Sequence, residues 1–153
     1  MHVLIVGYGN PLREDDGIGW AAADALRNPP YAIRHTLTIE TVHQLLPELA
    51  EQMSQADLVI FIDAAVAGAP GTIRHEVVAP LAAPPGAFSH HVGPAGLLEM
   101  AQVLYGRAPQ THLFTVTAAR LGYGEALSPT AAAALPALLD QIAACIDSFA
   151  AAA

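Results

Sequence analysis

The chain has 153 residues, 54% hydrophobic and only 13% charged, which suits one folded domain with a sizeable core. Its net charge of −8 rests on six arginines and no lysine, an unpromising surface for nucleic acid or anionic membrane. "MHVLIVGYGN" lacks the basic start of a signal peptide, and no uninterrupted apolar run reaches membrane-spanning length, so neither export nor insertion is expected.

The order of elements predicts alternating strands and helices. "HVLIVGYG" reads as a buried strand, being apolar and β-branched with glycines at its end. Residues 16 to 27 follow as a helix, with Ile18, Ala21, Ala22, Ala25 and Leu26 on one face and "NPP" as its stop. "YAIRHTLTIE" alternates like a half-buried strand. Residues 42 to 53 read as a second helix through Val42, Leu45, Leu46, Leu49 and Met53, although Pro47 disturbs its first turns. "DLVIFIDAAV" is apolar on both faces, as a central parallel strand must be. "GTIRHEVVAP" is more polar and suits an edge. Residues 80 to 93 form a loop rich in proline and glycine, ending in "FSHHVG". A helix over 94 to 106, with Leu97, Leu98, Ala101, Leu104 and Tyr105 in line, leads to the strand "HLFTVTAAR". A closing helix spans roughly 129 to 150, and the trailing alanines are expected to fray. The single cysteine, Cys145, excludes an internal disulfide, fits a reducing cytoplasm and reads as a buried residue of that helix. No linker, repeat or second domain is visible, so the expectation is one domain over residues 1–153.

Such an order gives an α/β three-layer sandwich: a mostly parallel, twisted sheet with helices on both faces. Its site belongs outside the C-terminal ends of the parallel strands. The loop after the first strand, "GYGNPLREDDGIG", and the end of "LVIFID" should then face one crevice, bringing Asp15 and Asp16 towards Asp63.

The first loop begins like a nucleotide-binding turn, but a dinucleotide fingerprint needs a glycine at position 12, where Leu12 stands. No lysine is available to a phosphate, and Glu14, Asp15 and Asp16 would repel one. Asp15 makes sense as a helix N-cap, which leaves Asp16 over, beside Gly17 and Gly19. His90 and His91 sit in a loop that runs straight into a helix at Pro94. His2 and His112 open strands on the side away from the crevice, His35 and His75 lie on strand faces, and His43 starts a helix. Two carboxylates and an imidazole from three loops would make a metal site for zinc, nickel, manganese or iron, with positions left open for substrate or water.

"GYGNPLREDDGIG" resembles the signature of the nickel–iron hydrogenase maturation endopeptidases: G-x-G-N, four residues, an acid pair, then G-x-G. "LVIFIDA" is similar to their second motif and "FSHHVGPAGLLEMA" to their third, while "VHQLLPELAE" and "GEALSPTAAAALPALL" also look like family segments. The resemblance runs in order along essentially the whole chain. It implies a phosphorylase/hydrolase-like sandwich with about five strands. It implies a metal site at Asp16, Asp63 and His91, Pro94 and the leucine pair favouring His91 over His90, with Asp16 and Asp63 also as catalytic residues. The implied activity is removal of the C-terminal extension of a nickel-loaded hydrogenase large-subunit precursor in the cytoplasm. Nickel would arrive in the precursor, and zinc or cadmium are other ions for the site. Metal-assisted hydrolysis and an aspartic general base both fit. The alternative is a metal-sensing or chaperone-like module that binds the precursor without cutting it.

Overall fold

The computed structural model describes residues 1–31, 35–81 and 92–153. Five strands form one sheet: β1 (His2–Tyr8), β2 (Thr36–Val42), β3 (Leu58–Ala65), β4 (Ile73–Val78) and β5 (Gln110–Thr117). Their order is β2-β1-β3-β5-β4. All neighbours run parallel except β4, which lies antiparallel to β5 at the edge its polar sequence predicted. Among the described residues there are also four α-helices: α1 (Ile18–Leu26), α2 (Leu49–Gln55), α3 (Pro94–Tyr105) and α4 (Pro129–Ala152).

The strands alternate their apolar side chains between two cores, which makes the sandwich three-layered. Val3, Ile5, Ile60, Ile62 and Phe114 meet α1 and α4 on one face through Ile18, Leu26, Leu138 and Ile142. Leu4, Val6, Val59 and Phe61 meet α2 and α3 on the other through Met53, Leu97 and Leu98. By length and composition alone α4 could cross a membrane. Here its buried stripe, Ala131, Leu138, Leu139, Ile142 and Ile146, belongs to the first core.

Three sequence expectations are corrected. The second helix starts at Leu49, not at residue 42: Val42 still pairs with Tyr8 in the β1–β2 ladder, and Pro47 sits in the turn that precedes the helix. Leu104 and Tyr105 of α3 are exposed, and Leu97, Leu98, Met100 and Ala101 carry its packing. The trailing alanines remain helical as far as Ala152.

The glycines of the first loop set how closely its elements approach. A Cβ on Gly7 would lie 2.1 Å from the carbonyl oxygen of Gly19, and one on Gly19 would lie 2.4 Å from that of Ile62. Strand and helix therefore touch backbone to backbone, which only glycine permits. This contact seats α1 across the ends of β1 and β3 and fixes where the acids preceding it fall.

Candidate active site

Chain reversal after β1 needs Gly9, whose φ is +134° and whose Cβ would strike the carbonyl oxygen of Asp16 at 2.2 Å. Asn10 then organises the loop. Its side-chain oxygen accepts from the Leu12 amide at 2.9 Å, and its carbonyl accepts from the Arg13 amide at 3.0 Å. A 3₁₀ turn over Glu14–Gly17 carries the three acids.

These acids do three different jobs. Glu14, at a positive φ of 49°, accepts from the Gly122 amide at 3.0 Å, while its own amide donates to the Gly124 carbonyl at 2.8 Å. Asp15 is 1% exposed and turns towards the segment that follows β5. Its carboxylate accepts from the amides of Ala119 at 2.8 Å, Arg120 at 3.0 Å and Ser128 at 2.7 Å, and from the Ser128 hydroxyl at 2.7 Å. Burial alone would raise this carboxyl, but the two Ser128 bonds and the two loop amides outweigh it and hold it below the usual carboxylate range. The N-cap expectation for Asp15 therefore fails: neither the 3₁₀ turn nor α1 has a side-chain cap, and Asp15 is an anchor between two loops.

Asp16 is left to face the cleft. One of its oxygens accepts from the Asn10 amide at 2.7 Å. The other has no hydrogen-bond partner among the described residues. Asp63, near the end of β3, lines the same open cleft of about 420 Å³ with Tyr8, Gly9, His43, Gln44, Leu45, Val92 and Gly93. Burial pushes its carboxyl up to about 6, and the charge of Asp16 pushes the same way. The Ala64 amide and the Tyr8 hydroxyl, both donating to it, pull in the opposite direction. The Tyr8 hydroxyl is itself held far above its ordinary value by burial and by that carboxylate. Two carboxylates that line one cleft also favour a cation between them.

Asp16 and Asp63 are thus brought to one cleft. His91, the third residue of the expected set, lies outside the described residues, as does His90; Val92 and Gly93, which follow, line the cleft. Sequence reasoning missed His43. It is not at a helix start but directly after β2, where it lines the cleft and packs edge-on against Trp20 with ring centroids 5.2 Å apart. Trp20 is fixed in turn by its indole N–H, which donates to the Val42 carbonyl at 3.1 Å. The strand-end rule would have found His43 had β2 been extended to Val42.

No protein-family model matches the sequence, and no curated protein does. Solved structures do match it. The hydrogenase maturating endopeptidase HybD from E. coli matches with a TM-score of 0.70 and 27% identity, over 97% of this chain and 93% of that one. An endopeptidase from Escherichia coli, solved in solution, matches with a TM-score of 0.69 and 27% identity, over 93% of this chain and 90% of that one. A hydrogenase 2 maturation peptidase from a Thaumarchaeota archaeon shares the fold at 24% identity, with a TM-score of 0.68 over 95% of this chain and 98% of that one. These likenesses bear out the family resemblance carried by the sequence motifs and the fold it implies.

Proposed function

We propose that this chain is a hydrogenase maturation endopeptidase, which removes the C-terminal extension of a nickel–iron hydrogenase large-subunit precursor once nickel is in place. The observation that carries this reading is the pair Asp16 and Asp63 in one open cleft, on a fold matched nearly end to end by HybD. The cleft is open to the surface, so a partner's extended tail can reach both carboxylates.

Nickel belongs to the substrate. Two carboxylates suit a divalent ion carried in by a partner, and His91 is the proposed third donor. When present, such an ion polarises a neighbouring peptide carbonyl. The chain's own groups supply the rest. Asp16 is held by Asn10 with one oxygen free, so it presents that oxygen without reorganising. Asp63, beside Tyr8, takes the proton of the attacking water as its oxygen joins the scissile carbonyl carbon. The proton then passes to the amide nitrogen as the C–N bond breaks, leaving a new C-terminal carboxylate and an amine. Zinc or cadmium are other ions that this donor set would accept. We place the reaction in the cytoplasm, in keeping with a single cysteine that needs no disulfide partner.

The test is cleavage of purified precursor with and without nickel. Loss of the extension from the loaded form alone supports the reading. Tight binding without cleavage would instead establish a chaperone-like docking module.

A further inference from the structure

A second constellation lies at the other edge and on the opposite face of the sheet. Phe114 and Val116 of β5 point into the core under α1 and α4, and His112 shares their parity. His75 pairs with Phe114 in the antiparallel β4–β5 ladder, so it stands on the same face, diagonally beside His112. Cys145 comes down from α4. One ligating atom from each of the three lies within 4.8 Å of the others. The cleft holding Asp63 is on the reverse face, since Asp63 has the parity of Val59 and Phe61 under α2 and α3. Nothing in the processing reaction uses this second group.

We propose that His75, His112 and Cys145 form a separate binding site for a borderline-soft divalent transition ion such as zinc. The donor set is two imidazoles and a thiolate, which zinc accepts in tetrahedral geometry with one position left for water. The ring nitrogens are already aimed at one another. His75 Nε2 and His112 Nδ1 are 2.7 Å apart, and on a shared zinc ion they would part by only about half an ångström.

Both rings are held in place from behind. The amide of Gln110 meets His112 Nε2 at 2.9 Å. The Gln110 nitrogen is the atom facing the ring; an amide flip, which exchanges two nearly identical ends, lets the oxygen accept from His112 Nε2–H and leaves the Nδ1 lone pair facing His75, the outer-shell arrangement of metal-binding histidines. His75 is stacked on Phe114, with ring centroids 4.2 Å apart and planes within 6°.

A cavity of about 450 Å³ opens onto all three residues, lined also by Gln110, Gln141 and Ser148 and by the apolar Ala144 and Phe149, so an ion can reach them from solvent. On binding, the His75 proton moves to its other ring nitrogen. The Cys145 thiol proton leaves to solvent, one proton per ion. The ion would tie α4 to β4, the strand that among the described residues pairs on one side only.

Cys145 is the chain's single cysteine, so its signature is unambiguous in the intact protein. Cobalt(II) is the probe, because a cobalt–thiolate bond absorbs in the near ultraviolet and a carboxylate site does not. One equivalent of cobalt should produce that band in the wild-type chain, and zinc should displace it. Cys145→Ser should abolish the band. His75→Gln, at an exposed position that tolerates change, should weaken cobalt binding by more than the roughly tenfold cost of losing an outer-shell partner. Zinc should also raise the Tm of the wild type by more than that of Cys145→Ser, whose cleft carboxylates are unchanged. A cobalt spectrum with no thiolate band, or affinity unaltered in His75→Gln, would overturn the proposal. Both results are independent of whether the precursor is cut.

Discussion

Asp15 and Ser128 are joined twice across 113 residues of sequence, by an amide and a hydroxyl each 2.7 Å from the carboxylate. With Ala119 and Arg120 the carboxylate accepts four hydrogen bonds, a load that an amide side chain cannot take up. Asp15→Asn would turn an N–H towards a donor and remove the charge that strengthens every bond. We expect it to destabilise the protein by about 2–3 kcal/mol, measured by chemical denaturation.

The pH dependence of that difference has a defined sign. Asp15 has a folded pKa below its unfolded one, so its contribution is complete above the ordinary carboxyl pKa of about 4 and is lost as pH falls through the folded value. The stability gap between wild type and Asp15→Asn should therefore narrow below about pH 4. A gap that stays constant would remove the carboxylate from the account.

Asp16→Asn should behave in the opposite way. Its hydrogen bond from the Asn10 amide survives, because an amide oxygen still accepts. Stability should stay within roughly 1 kcal/mol of wild type, whereas precursor processing should be abolished, because an amide is a far weaker ligand than a carboxylate. Normal processing by this variant would make Asp16 a structural acid.

Asp63 is costly to the fold. Its folded pKa of about 6 exceeds the unfolded value, so the native state holds more protons and stability falls as pH rises from about 4 to about 6. Asp63→Asn should remove that penalty. In the metal-free protein it should be more stable than wild type at neutral pH, by on the order of 1–2 kcal/mol, and no more stable near pH 4. It should also be inactive. Thermal melts at the two pH values, run beside a processing assay, decide the matter.

Gly19→Ala tests whether the loop glycines serve packing. The added Cβ would meet the Ile62 carbonyl oxygen at 2.4 Å, and both atoms belong to rigid elements. A loss of roughly 2–3 kcal/mol is expected, visible as a Tm lowered by roughly 5–10 °C. With these glycines committed to strand–helix contact, calorimetry with NAD or ATP should give no saturable heat.

Much of the architecture can be read from apolar spacing. β1 and β3 are apolar on both faces, so they must be central, and the strand-end rule aims Asp16 and Asp63 at one place. What spacing hid was long-range or mimicked. Val42, Leu45 and Leu46 have helical spacing, yet Val42 is claimed by the β1–β2 ladder, and His43 was misplaced with it. Asp15 looks like a cap because its real partners, Ala119, Arg120 and Ser128, are remote in sequence. His75, His112 and Cys145 looked unrelated for the same reason: only an antiparallel edge strand and a covering helix bring them together.

The loop bearing Asp16 is stitched to the segment before α4. Leu12 and Glu14 exchange backbone bonds with Gly124, Arg13 reaches the Leu121 carbonyl, and Asp15 holds Ala119, Arg120 and Ser128. Contacts so distant in sequence close last, because the chain between them must first give up its freedom. During synthesis the N-terminal acids emerge early, but the residues that hold their loop in place arrive only with the final quarter of the chain. A nascent chain would therefore carry the parts of the cleft long before it could cut anything.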